Sequence, residues 1–278
     1  MTVVVHPKVG LNSLSSVSWT LAQDLALYDR LGVQRVGLFV DKLEAAGTDS
    51  AIDRVRASGL RVDHLFCQGI AVGHPTAWSA ERRRLIEAVD MAVALAAPLL
   101  TVTSGAAGVL SWEAAADACC EALNPVVTAA TARGLRMALE QTLPIRPEIG
   151  FIHSFGDTVE VARRVGAMAV LEGNYAFAER GLAARLAAAG PLLGIVQVSD
   201  LVVPSTTVPD RAVPGDGVIP FDRLIRQVNA AGYEGPFELE LLGPRIEAEG
   251  YESACGRAVA RLSGLLGADD DLQRGATV

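Results

Sequence analysis

Four polar side chains close apolar runs that otherwise read as buried strands. Glu140 ends Arg136-Met137-Ala138-Leu139-Glu140, with Gln141 next, and Glu172 ends Met168-Ala169-Val170-Leu171-Glu172. Gln197 ends Gly194-Ile195-Val196-Gln197, and Glu240 ends Pro236-Phe237-Glu238-Leu239-Glu240. A buried strand has no structural use for a terminal carboxylate. Burying that charge is costly unless a cation, a hydrogen-bond donor or a ligand meets it. Four such ends therefore suggest one shared site. Three carboxylates and a carboxamide offer only oxygen ligands, which suit a hard or borderline divalent ion such as Mn²⁺ or Mg²⁺. Such an ion would offset the mutual repulsion and polarise a carbonyl or hydroxyl of a bound molecule. Two opposed carboxylates beside that molecule can exchange a proton with carbon on either face. The plainer reading leaves each Glu in solvent, just past its strand.

The elements that must gather these residues alternate between strand and helix along the whole chain. The pattern predicts strands within Val3–Leu11 and over Arg35–Val40, Arg61–Cys67, Leu99–Thr103, Arg136–Gln141, Met168–Leu171, Leu192–Val198 and Phe237–Leu241. Helices are predicted over Ser18–Leu31, Ser50–Ser58, Ser79–Ala97, Ser111–Arg133, Asp157–Val165 and Phe221–Ala231, within Phe177–Ala189, and over Glu247–Leu266. Glycines stop several of them, as at Gly32, Gly59, Gly134, Gly166 and Gly232. Repeated strand–helix units imply parallel strands, and eight can close into a single (β/α)8 TIM barrel. The barrel is expected over residues 1–266, with 267–278 as a flexible, frayed tail. Two doubly wound domains are the alternative, but no linker divides the chain and no Gly-x-Gly-x-x-Gly follows the first strand. In a barrel, active sites sit at the carboxyl ends of the strands. Glu140, Glu172, Gln197 and Glu240 then end strands 5, 6, 7 and 8, on one rim. The long loops 142–156 and 200–220 lie on the same rim.

Bulk properties narrow the function classes. Half of the 278 residues are hydrophobic and a fifth are charged, so a sizeable core is expected. A net charge of −8 argues against a nucleic-acid partner. Cys67, Cys119, Cys120 and Cys255 form no C-x-x-C and read as small packing residues of a reducing compartment. Met1–His6 lacks a basic region followed by a long apolar core, and the apolar run 92–100 is too short to span a bilayer. A cytoplasmic protein with a small-molecule substrate and no membrane partner is expected; a homo-oligomer is left open.

Two segments carry a family resemblance. One is Gln197-Val198-Ser199-Asp200, followed by Asp210-Arg211 and Pro214-Gly215-Asp216-Gly217-Val218-Ile219. The other is Gly232-Tyr233-Glu234-Gly235-Pro236 leading into Phe237–Glu240. Over residues 8–265 the chain resembles the xylose-isomerase-like barrels, which include sugar epimerases, inosose dehydratases and endonuclease IV-type enzymes. The resemblance implies that Glu140 and Glu240 are metal ligands and the two acid/base groups, and that Arg211 contacts substrate. It also implies metal ligands at Glu172 and Gln197. At these two strands the chain departs from the pattern. The family's Asp-x-x-His is here Glu172-Gly173-Asn174-Tyr175, and its strand 7 His is here Gln197. Tyr175, in place of an imidazole, is expected on the substrate. Gln for His replaces the best borderline ligand with a neutral oxygen.

Other residues weigh less. His64 near the end of strand 3 and Asn12 after strand 1 are candidate substrate contacts, and Gln68 a polar rim group. Glu238 shares strand parity with Glu240 and is expected to point inward, toward a basic residue such as Arg136. His153 is expected to be a solvated loop residue, and His6 and His74 have no evident partners. Phe66, Trp78 and Trp112 are candidates for an apolar wall. Arg82-Arg83-Arg84 reads as a solvated face. The leading expectation is an isomerase or epimerase acting on a sugar, polyol or related hydroxy-carbonyl compound. Proton abstraction next to a carbonyl also begins β-elimination, so a dehydratase or lyase fits the same residues. A third reading, from the two altered positions, is a non-catalytic small-molecule-binding protein.

Overall fold

The computed structural model describes residues 4–275. Eight parallel strands close into a barrel: Val9–Asn12 (β1), Arg35–Phe39 (β2), Arg61–Cys67 (β3), Leu99–Thr103 (β4), Arg136–Glu140 (β5), Met168–Glu172 (β6), Leu193–Val198 (β7) and Phe237–Leu239 (β8). Each strand pairs with its chain neighbours, and β8 closes the ring between β7 and β1. The helices lie on the outside, where their apolar faces and the outward faces of the strands form one continuous core. This is the (β/α)8 architecture expected from the pattern.

Local chemistry sets the helix ends. Thr20 caps the Leu21–Leu31 helix: its hydroxyl accepts from the Gln23 N–H, and the Gln23 side chain returns the bond to the Thr20 N–H. Ser154 caps Phe155–Val165 in the same position. Pro125 lies inside the Trp112–Ala132 helix and cannot donate to the Glu121 carbonyl. Arg82 makes up the loss, donating to the carbonyls of Glu121 and Ala122 at 2.9 and 2.8 Å. Arg84 donates to the Gln68 carbonyl. The arginine run is thus not simply a solvated face.

Inside the barrel, alternate residues of each strand point to the axis. Leu99, Ala138, Met168, Val170 and Ile195 form a separate apolar plug within it. Two residues on from Ala138, Val170 and Ile195, the same parity gives Glu140, Glu172 and Gln197, so the interior passes from apolar to polar toward the carboxyl ends.

Several boundaries differ from expectation. β1 begins at Val9; of the segment Val3–Leu11 within which it is predicted, Val3 lies outside the described residues. Val40 does not extend β2 but starts a short helix, Val40–Ala45, that the pattern missed. A further short helix, Gly173–Ala176, follows β6 directly. The last helix runs Tyr251–Gly275, so residues 268–275 are helical, not frayed. Asp269 is buried there and accepts from Asn229 Nδ2 at 2.8 Å. His6, expected to lack a partner, lies 3.1 Å from Asp270.

Candidate active site

Glu140, Glu172, Gln197 and Glu240 meet at the carboxyl end of the barrel, all of them buried. One oxygen from each of Glu140, Glu172 and Glu240 lies within 4.8 Å of the others. Register explains the meeting: Glu172 is level with Gln197 across β6 and β7, and Glu240 follows β8, whose Glu238 is level with Gln197.

The Arg211 guanidinium sits among the carboxylates. Nη1 is 2.9 Å from Glu172 Oε2 and 2.7 Å from Glu240 Oε1, and it donates to the Glu240 carbonyl at 2.9 Å. The Glu172 approach is a charge contact without hydrogen-bond alignment, since Glu172 Oε2 has no hydrogen-bond partner. Nη2 donates to the Tyr175 hydroxyl at 3.1 Å, and the guanidinium lies 5.3 Å from the centre of the Tyr175 ring. Gln197 turns its amide N–H groups to the cluster, 2.6 Å from Glu240 Oε2 and 3.5 Å from Glu140 Oε2. Its Oε1 is left without a partner.

Arg211 is delivered by a braced loop. Residues 200–201 and 211–212 form a small antiparallel ribbon, and the Arg211 N–H donates to the Leu242 carbonyl at 2.8 Å. Asp200 gathers the rest: its carboxylate accepts from the N–H groups of Leu201, Gly215, Gly217 and Ile219 at 2.8 to 3.1 Å. The other long loop is tied by Ser104, whose hydroxyl accepts from Phe151 and Ile152.

Beneath the cluster is a second buried pair. His64 Nε2 is 2.9 Å from both oxygens of Glu238, and Asn12 Nδ2 donates to Glu238 at 3.0 Å and more weakly to Glu240 at 3.4 Å. Glu238 does point inward, but its partner is His64; Arg136 lies exposed at the opposite end of β5. His64 and Asn12, expected as substrate contacts, are fully buried; their side chains bond Glu238 and hold carboxylates in place. A Cβ on Gly37 would come within 2.0 Å of Glu238 Oε1 and 2.4 Å of His64 Nε2, so β2 carries glycine at this level.

Burial dominates the electrostatics. It raises the Glu140 carboxyl well above its ordinary range, and the charges of Glu240 and Glu172 add to the effect. Burial pushes Glu240 up to about 7 against the pull of Arg211, and Glu172 rises for the same reason. Burial pulls His64 down, but Glu238 outweighs it and the imidazole is raised overall.

A cavity of about 160 Å³ opens above Glu140, Glu240 and Arg211. Its walls are largely apolar, with Phe66 and Leu14 on one part, Leu143 and Ile149 from one long loop, and Val208 and Pro209 from the other. Thr103, Thr142 and Tyr175 add hydroxyls, and Arg146 a charge. Of the aromatic residues considered for the wall, only Phe66 serves. Trp78 is in the helical core and Trp112 packs edge-on against Phe151. His153 is half-buried and bonded to the Thr142 carbonyl, and Gln68 is exposed. Thr142 and Arg146 had no sequence signal beyond their place in a rim loop. Larger hollows of about 510 and 540 Å³ are lined by other residues, none of them a strand-end carboxylate.

The spacing of the three carboxylates is compatible with a shared divalent cation. The groups between them are not: a guanidinium fills the gap between Glu172 and Glu240, and Gln197 presents donors where an ion needs lone pairs. As arranged, this donor set does not fit a metal.

Fold and site together define a xylose-isomerase-like barrel, and the comparisons agree. The sequence matches the family described as xylose isomerase-like TIM barrel over residues 25–258, and the chain belongs to that family. Among solved structures, a protein from Sinorhizobium meliloti 1021 is 23% identical with a TM-score of 0.81, over 93% of this chain and 98% of that one. An IOLI protein with a bound zinc atom is 17% identical with a TM-score of 0.77, over 93% and 96%. A D-allulose 3-epimerase from Methylomonas sp. is 18% identical with a TM-score of 0.75, over 95% and 100%. These identities speak for the fold alone. No curated protein matches the chain. Among the described residues, no helix is long and apolar enough to cross a membrane.

Proposed function

We propose that this barrel is an isomerase or epimerase that moves a proton at the carbon next to a carbonyl in a small hydroxy-carbonyl compound. The observation that carries this reading is that Glu140 and Glu240, from opposite ends of the β5–β8 arc, open onto one small cavity with a guanidinium beside them. The family includes enzymes of this kind, and L-ribulose 3-epimerase and D-allulose 3-epimerase are among the similar folds.

Arg211 stabilises the negative charge that builds on the substrate oxygen as the proton leaves carbon. Glu140 and Glu240 exchange the proton. Glu140 is the less encumbered, its one hydrogen-bond contact being the long one to Gln197, whereas both Glu240 oxygens meet donors. Glu172 and Tyr175 hold the guanidinium in place. No step is assigned to a metal. The cavity volume suits a short compound, and its apolar walls suit one with few hydroxyls away from the reacting carbons.

The test is solvent exchange. Wild-type protein is incubated in D₂O with a panel of short ketoses and hydroxyketones and followed by NMR. Deuterium entering next to the carbonyl, with an isomer as product, is the expected result. Glu140→Gln should slow it by about 10²–10⁴-fold. An unsaturated product would replace this reading with a lyase. Binding without exchange across the panel would replace it with a binding protein.

A further inference from the structure

We infer that the Arg211 guanidinium is the resident cation of this site, standing where a divalent ion would have to bind and keeping such an ion out. An ion bridging Glu172 Oε2 and Glu240 Oε1 would need to lie at about 2.0–2.6 Å from each. Arg211 Nη1 already occupies the gap between these two atoms, at 2.9 and 2.7 Å. The two cations are mutually exclusive occupants.

Three further features hold the guanidinium there. Arg211 is buried, so displacing it would strand a charge inside the protein. The Tyr175 hydroxyl and ring engage its far side, at a position where the resemblance leads one to expect a histidine. Its backbone is fixed by the ribbon and by Leu242, and the loop around it by the four N–H groups on Asp200. Arg211 is therefore not a surface side chain that swings aside at little cost.

Gln197 points the same way independently. A metal-binding residue here would show a lone pair to the centre of the cluster. Gln197 instead donates to Glu240 and Glu140, and its oxygen has no partner. The two neighbouring carboxylates require this orientation, because an amide oxygen facing them would be repelled. Arg211 and Gln197 thus supply a charge and donors in place of an ion and its ligand. The inference does not depend on which reaction the barrel catalyses.

The experiment measures metal directly. Wild-type protein purified without chelator is analysed for bound metals, then titrated with Mn²⁺ and Zn²⁺ while the free Mn²⁺ signal is followed by electron paramagnetic resonance and the melting temperature by scanning calorimetry. Expected are less than a stoichiometric metal content and a melting temperature unchanged by either ion. Arg211→Ala should bind Mn²⁺ at least about tenfold tighter than wild type, equivalent to about 1.4 kcal/mol. Glu172→Gln in the same background should abolish the gain. Arg211→Met, which keeps an unbranched stem without the charge, serves if Arg211→Ala does not fold; it should show the same gain in Mn²⁺ affinity, and no gain there counts against the inference equally. A wild-type protein that carries one tightly held metal, or is stabilised by Mn²⁺, overturns the inference. So does a folded Arg211→Ala that gains no affinity.

Discussion

Two buried charge clusters in this molecule are built on opposite terms. Outside the barrel, Lys42 Nζ is surrounded by the carbonyls of Ser13 and Ser16 at 2.8 Å and by Asp24 Oδ2 at 2.6 Å, and the other Asp24 oxygen accepts from the Ser16 hydroxyl. Each ammonium proton has an acceptor and both carboxylate oxygens have a donor. At the barrel mouth, Arg211 Nε, Glu172 Oε2 and Gln197 Oε1 are buried without hydrogen-bond partners. Two of the three carboxylates pair with the one guanidinium there, and Glu140 pairs with none. The first cluster is closed and needs nothing from outside. The second is left unfinished, with too much acid and too few donors, which is the condition under which a bound molecule gains most by arriving. Saturation, and not burial or charge, separates the structural cluster from the candidate site.

The largest expected effect tests the closed cluster. Asp24→Ala strands a buried ammonium and should cost about 3–5 kcal/mol by urea denaturation. A loss below about 1 kcal/mol would mean that Lys42 escapes to water and that the cluster is not closed. Next comes the open cluster, read through pH. Glu240 has a pKa of about 7 in the fold against 4.5 for an ordinary Glu. The folded chain thus holds that proton more tightly than the unfolded chain, so the stability contributed by Glu240 is full below about pH 4.5 and is lost as pH rises to about 7, while Glu140, raised well above the ordinary range, carries the decline higher. Asp24, raised to about 6 by burial, contributes a decline in the same sense that ends lower. Glu240→Gln should flatten the fall between about pH 6 and 7 in calorimetric scans, and an unchanged profile there would show that Glu240 does not titrate in the window. The smallest effect calibrates both. Arg30 and Glu252 form an ion pair 3.1 Å apart with both side chains about half exposed, and Arg30→Ala should cost less than about 1 kcal/mol.

Much of this was legible in the primary order because parity along a strand is a local property. The polar ends of β5, β6, β7 and β8 fall on one rim for that reason, and they do converge. What parity does not give is height. Glu238 and Arg136 both have inward parity, yet Arg136 lies at the amino end of β5, and the imidazole of β3 meets Glu238 instead. The stagger of strands around the barrel decides which inward residues share a level, and that is set by closure of the whole ring. Gly37 read as nothing in sequence for the same reason, since its meaning lies in two side chains from β3 and β8. Arg211 stands out only through the resemblance, and its seat among the carboxylates depends on the path of the loop 200–220. Val40 misled because a β-branched residue after Phe39 prolongs the look of a strand past its last ladder bond.

The four amide hydrogens converging on Asp200 have a consequence for the proton transfer proposed above. The part of the loop that flanks Arg211 is shaped in advance, and in that reading its positive charge is aimed before a substrate arrives. Little reorganisation is then needed when charge develops, which is the main advantage a protein site has over water.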